Sequence, residues 1–214
     1  MKKKLPVIEL DIDPSSGAFV SAIALVENPA VESNFLAFSK DSPVAFQFEI
    51  QSEDKMELLG IAMRADMNIY RRDEKTSQEY YSVFRKNAIR KIAQDFFRQG
   101  FTNATNIEHS SVPADSYIYQ SYIVDESKGM LAPKGLGAAD GDWVVGLKVE
   151  NKDVWKLIKD GHIKGFSIEG LFTFFDTEQL ADFEFNQLKP SSDMLAFSKE
   201  LESELDSIIK ILNL

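Results

Sequence analysis

The sequence contains no cysteine and only two histidines, His109 and His162. Without thiols there are no disulfides, no thiolate nucleophile and no cysteine-ligated zinc. Two histidines argue against a multi-histidine metal centre, so neither a metal nor a cofactor is expected. No window approaches the ~20 apolar residues of a membrane span. The start, MKKKLPVIELDID, is basic for three residues and lacks the apolar stretch of a signal peptide. A soluble intracellular protein without membrane contact is expected. Positive charge is the minority sign: 24 Lys and Arg stand against 34 Asp and Glu, for a formal net charge of −10. That balance argues against a nucleic-acid binder, and the small basic group Arg85, Lys86, Arg90 and Lys91 does not outweigh it.

What is present suffices for one sizeable core: 214 residues, 44% of them hydrophobic. Alternating and β-branched runs predict strands over Val7–Asp13, Ala18–Val26, Val44–Ile50, Glu57–Arg64, Tyr80–Arg85, Thr105–His109, Tyr117–Val124, Asp142–Val149 and Gly165–Phe175. Arg71–Gln78 reads as a polar turn, and 27–44 as a surface connector. Helical spacing predicts Asn87–Gln99, capped by Asn87 and stopped by Gly100. A shorter helix is predicted over Asn151–Asp160, capped by Asn151. Residues 125–141, rich in glycine and alanine, make a loop long enough to be functional or mobile. Trp143 and Trp155 are expected in the core, as are Phe172, Phe174 and Phe175. Many strands, few helices and no β-α alternation predict an α+β fold, a mostly antiparallel sheet or barrel with helices outside it. The expected organisation is N-terminal strands and connector over 1–44, a main domain over 45–190 and an amphipathic helix over 191–214. Leu201, Leu205, Ile208 and Leu212 form a short seam on that helix, for internal packing or a homodimer contact. The segment LAFSK occurs twice, at Leu36–Lys40 and Leu195–Lys199.

The stretch with chemistry in it is HIKGFSIEG, residues 162–170. On a strand Ser167 and Glu169 share a face, with α-carbons about 6–7 Å apart. A histidine beside both would complete a nucleophile, a base and an orienting acid. His109, at a predicted strand end in NATNIEHSS, is the better-placed histidine; His162 sits in a turn. Glu108 is expected on the opposite strand face from His109, in a solvated or structural role. By itself a lone serine in a strand is ordinarily structural, and the glycine-serine-glycine elbow of hydrolases is absent.

HIKGFSIEG, preceded by GDWVVGLKVENKDVWKLIKDG, resembles the active-serine segment of tailed-phage prohead maturation proteases, and more specifically their phage serine protease branch. VIELDID…GAFVSAIALVENPAVESNFLAFSK resembles the N-terminal segment of that branch, so the likeness runs over roughly residues 7–175. The resemblance implies the fold of herpesvirus assemblins, a closed, mostly antiparallel barrel surrounded by helices. It implies a serine endopeptidase that cleaves scaffold and major capsid protein segments inside the immature prohead in the host cytoplasm, and commonly a dimer. Carried over, the nucleophile falls on Ser167 and the base on His109. Two features depart from assemblins. No histidine follows Ser167, which leaves Glu169, or else Asp176, as the third member, or a dyad. No arginine follows Arg98, so the oxyanion donors are unassigned. A catalytically silent capsid-assembly or scaffold protein that keeps the fold is the alternative function.

Overall fold

The computed structural model describes residues 4–29, 48–52, 55–73 and 76–182. Both LAFSK segments and the expected C-terminal helix lie outside the described residues. The described residues form eleven strands: β1 (Lys4–Asp11), β2 (Val20–Val26), β3 (Phe48–Ser52), β4 (Glu57–Met63), β5 (Ile69–Arg72), β6 (Glu79–Val83), β7 (Thr105–Ile107), β8 (Ser116–Ile123), β9 (Trp143–Val149), β10 (Gly165–Gly170) and β11 (Thr173–Asp182). Two α-helices accompany them, α1 (Lys86–Arg98) and α2 (Lys152–Lys159).

The expected closed barrel surrounded by helices is corrected by the strand order. Among the described residues there are three sheets, β11-β1-β6-β5, β10-β2-β7 and β3-β4-β9-β8, and each is open. Two of them are mixed rather than antiparallel, because β1 pairs in parallel with β6 and β2 in parallel with β7. Register shifts at Pro6/Ile8, Ile61/Met63, Ile118/Gln120 and Glu169/Gly170 bend strands without closing a ring. Two α-helices are too few to surround the sheets, so among the described residues the protein is mostly β.

The helices bury one stripe each. α1 turns Ile89, Ile92, Ala93 and Phe96 into the core, and Phe96 meets Trp143 edge-to-face at 5.6 Å. α2 contributes Val154, Trp155 and Ile158 to the same core. As expected, Asn151 caps α2, its Oδ1 accepting from the amides of Asp153 (2.8 Å) and Val154 (3.2 Å). α1 instead begins one residue before Asn87, behind Arg85, which supplies no side-chain cap.

The four basic residues around the start of α1 are spent on ion pairs. Arg85 pairs with Glu9 and Asp66, Lys86 with Asp140, Arg90 with Asp125 and Lys91 with Asp11. Two of those carboxylates, Asp125 and Asp140, belong to the glycine-rich loop. Asp142 ends that loop buried, its carboxylate accepting from the amides of Ala65 (2.8 Å) and Ala139 (2.9 Å). Leu136 packs with Leu59, Ile61, Val124 and Val144 in a second cluster. The loop is therefore anchored at Asp125, Leu136 and Asp140, while Met130 and Leu131 between them stay exposed.

Two strand expectations are corrected. Arg71 and Arg72, expected to open the polar turn, instead end a strand, Ile69–Arg72, paired antiparallel with β6 through Ile69↔Ser82 and Arg71↔Tyr80. The single strand expected over Gly165–Phe175 divides at Gly170 into β10 and β11, which belong to different sheets. Beyond the break, Phe174 and Phe175 are exposed rather than core, whereas Phe172 stacks edge-on to Phe84.

Candidate active site

The candidate site is built on the three-stranded sheet β10-β2-β7. β2 runs down the middle, antiparallel to β10 and parallel to β7. Its register sets Ser167 opposite Ala24, Ala24 opposite Asn106, and Glu169 opposite Ala22. Laterally paired residues point to the same face. One face therefore carries Ser167, Glu169 and Asn106, separated by the small side chains of Ala22 and Ala24. The other carries Phe166, Ile23, Leu25 and Ile107, all buried in the main core. The alanines in the central strand leave room for longer side chains on the outer strands to meet above them.

They do meet. Asn106 Nδ2 donates to Glu169 Oε2 at 2.9 Å. The same oxygen lies 3.5 Å from Nδ1 of His109. The structure thus brings His109 to Glu169, while Asp176 stands on β11 opposite Ile8, its Oδ1 accepting from the Glu178 amide. Ser167 is 7% exposed on β10. Among the described residues no group hydrogen-bonds its Oγ. The Asn106 Oδ1 is buried and also lacks a partner among the described residues. Asn106 was missed in the sequence, where an asparagine in a three-residue strand carries no chemical signal.

His109 does not sit at the end of a strand. β7 stops at Ile107, and Glu108 and His109 both take left-handed backbone conformations, with φ of 52° and 55°. The Ser110 amide bonds to the Ile107 carbonyl at 2.9 Å, which makes residues 107–110 a tight turn of the I′ type. Neither central residue is the glycine or asparagine such a turn favours, and each costs about 1–2 kcal/mol there. The surroundings hold the turn in place. The Glu108 amide donates to the Leu25 carbonyl (3.0 Å), the Ile107 amide donates to the Val112 carbonyl (3.1 Å), and the Ser110 hydroxyl donates to the Ile107 carbonyl at 2.6 Å. Glu108 itself turns back to accept from the Glu27 amide. Burial pushes the Glu108 carboxyl up from the usual carboxylate range, and that amide partly offsets the effect. Glu27 in turn accepts from Lys164 at 3.0 Å. Glu108 is thus structural, as expected, but acts from the turn and not from an opposite strand face.

Gly170 shows why a glycine ends the serine strand. A Cβ there would come within 2.5 Å of the Phe19 carbonyl oxygen and 2.7 Å of the Val20 Cα. The register shift between Glu169 and Gly170 lets the chain pass that close, and the Leu171 amide then bonds to the Phe19 carbonyl at 3.0 Å.

A cavity of about 180 Å³ reaches Ser167. Phe166, Ser167 and Ile168 all line it, as expected where a cavity runs along a strand's edge rather than one face. β10 is an end strand of its sheet. The far walls come from β1, β4, β5 and β6, through residues that include Leu10, Met63, Arg71 and Ser82. No cluster of three or more His, Asp or Glu fit to hold a metal exists among the described residues.

The arrangement supplies a hydroxyl at the edge of a cavity, an imidazole within 3.5 Å of a carboxylate, and an amide that fixes that carboxylate. The side chains of His109 and Glu169 are 41% and 43% exposed. At that exposure solvent screens their attraction, and the pair orients the ring more than it stabilises the fold. The family described as "Putative phage serine protease XkdF" matches residues 50–175, more than half of the chain and a span that contains all four site residues. No curated protein and no solved structure matches the chain.

Proposed function

The chain belongs to the family described as "Putative phage serine protease XkdF", and on that premise we propose that it is a serine endopeptidase acting through Ser167, His109 and Glu169. His109 accepts the Ser167 proton as the hydroxyl oxygen attacks a peptide carbonyl. The proton passes to the departing amine, and the acyl-enzyme is released by a water that His109 deprotonates. Glu169 orients the imidazole and stabilises its charged form, with Asn106 positioning Glu169. The observation that carries this reading is that one carboxylate oxygen, Glu169 Oε2, meets both Asn106 Nδ2 and His109 Nδ1 on the sheet face shared with Ser167.

The substrates proposed are scaffold and major capsid protein segments, cut during maturation of the phage head. Co-expression with phage scaffold and major capsid proteins tests this: the wild type shortens them and Ser167→Ala leaves them at full length. A second reading, a silent protein that keeps the fold for capsid assembly, is favoured by the absence, among the described residues, of a hydrogen bond to Ser167 Oγ. Catalytic hydrogen bonds often form only once substrate is bound, so that absence does not outweigh the Glu169 arrangement. Unprocessed partners with the wild type would favour the silent protein.

A further inference from the structure

The cavity beside Ser167 contains a charge that the protease chemistry leaves unused. Most of its wall is apolar: Met63, Ile69, Phe84 and Phe172 are among the residues that enclose it. Two arginines also line it. Arg64 is engaged, donating to the Gly137 carbonyl at 2.9 Å and reaching the Asp142 carboxylate at 3.5 Å. Arg71 is not. It stands on β5, half-buried, with Tyr80 across the strand pair. Among the described residues it forms no ion pair and no hydrogen bond. Burial pulls its guanidinium down from the usual range, Tyr80 opposes the effect in small part, and no carboxylate among the described residues does so.

A half-buried cation without a counter-ion is costly, and it becomes favourable when a ligand brings the anion. The cavity has the size for one side chain: an apolar cavity of about 150 Å³ holds a benzene-sized ligand, and this one encloses about 180 Å³. A side chain that satisfies both walls has an aliphatic stem and a terminal carboxylate. Aspartate supplies the carboxylate on a shorter stem. Glutamate supplies both, and its planar carboxylate matches the guanidinium fork. Resting on the endopeptidase reading above, we propose that Arg71 determines specificity and that the substrate side chain seated beside Ser167 is glutamate.

Two measurements decide it. In the first, the wild type and Arg71→Met digest a denatured protein mixture, and the new termini are sequenced by mass spectrometry. Glutamate should be enriched at one position flanking the cut bonds with the wild type. Arg71→Met should lose that enrichment in favour of leucine, methionine or phenylalanine. A wild type without glutamate preference, or a variant that keeps it, would overturn the assignment. In the second, N-acetylglutamate α-amide and its glutamine counterpart are titrated into the Ser167→Ala protein and followed by NMR. The glutamate compound should bind about tenfold more tightly, and the advantage should vanish in the Ser167→Ala, Arg71→Met double variant. Equal binding of the two compounds would overturn the proposal about Arg71. A wild type that cuts nothing would count against the endopeptidase reading alone, because the binding measurement does not depend on cleavage.

Discussion

Asn106 and Glu169 are joined by a 2.9 Å hydrogen bond across β2, the strand that lies between them. The contact is made over Ala22 and Ala24, and it holds the carboxylate oxygen that faces His109. Asn106→Leu keeps the approximate volume and removes the donor. Its cleavage rate is expected to fall roughly tenfold, the worth of one hydrogen bond to a charged group. The loss should appear in kcat with KM little changed, because positioning of the base acts on the chemical step. A loss confined to KM would instead place Asn106 against the substrate.

The third member of the site is decided by two neutral replacements. Glu169→Gln should lower the rate by about one to two orders of magnitude, since it removes the charge that stabilises the imidazolium. Asp176→Asn should leave the rate unchanged, because Asp176 belongs to another sheet and its Oδ1 serves the Glu178 amide. Unfolding temperatures of both variants should stay near that of the wild type, which separates catalysis from stability. If Asp176→Asn were the impaired variant, the orienting role would pass from Glu169.

Gly170→Ala should destabilise the protein by about 1–3 kcal/mol, the usual cost of forcing an extra carbon into a packed contact. The new methyl meets the backbone of Phe19 and Val20, which cannot rotate away as a side chain can. Chemical denaturation measures this, with a lower midpoint and an unchanged slope expected. An unchanged midpoint would mean that β2 and β10 can separate at this bulge without loss.

Glu108 gives a pH-dependent test. Its carboxyl is pushed up by burial, so the folded protein holds that proton more tightly than the unfolded chain does. The stability linked to this group is fully present below the unfolded-state value and is lost as pH rises through the folded-state value. Glu108→Gln removes the buried charge and keeps an oxygen for the Glu27 amide. The variant should therefore be more stable than the wild type at neutral pH, and the difference should shrink on acidification to about pH 4. A difference that is constant with pH would show that the folded and unfolded states hold the carboxyl proton equally tightly.

The parts of the site that follow from local pattern were legible in the sequence. Strand alternation places Ser167 and Glu169 on one face, and they share it. The cap on α2 follows from Asn151, and burial of Trp143 and Trp155 from their bulk. The long-range pairings were not legible. β1 and β6 are parallel although about seventy residues separate them, and no helix-strand alternation announces it. The turn carrying His109 has glutamate and histidine where glycine or asparagine would signal it, so a continuing strand was the natural reading. Phe174 and Phe175 looked like core because nothing before Gly170 shows that the chain changes sheet there. Arg71 fell in a polar run that resembles a turn, and only the pairing of β5 with β6 turns it toward the cavity that reaches Ser167.

The central claim is that Ser167 is a nucleophile activated by His109. A fluorophosphonate reacts covalently with an activated serine hydroxyl and leaves a mass that can be assigned to one residue. The wild type should carry one adduct, located on Ser167 by fragmentation of the 165–170 peptide region. His109→Ala should slow its formation by about two to four orders of magnitude, and Ser167→Ala should carry none. An adduct on another serine, or equal labelling of Ser167 with and without His109, would contradict the account.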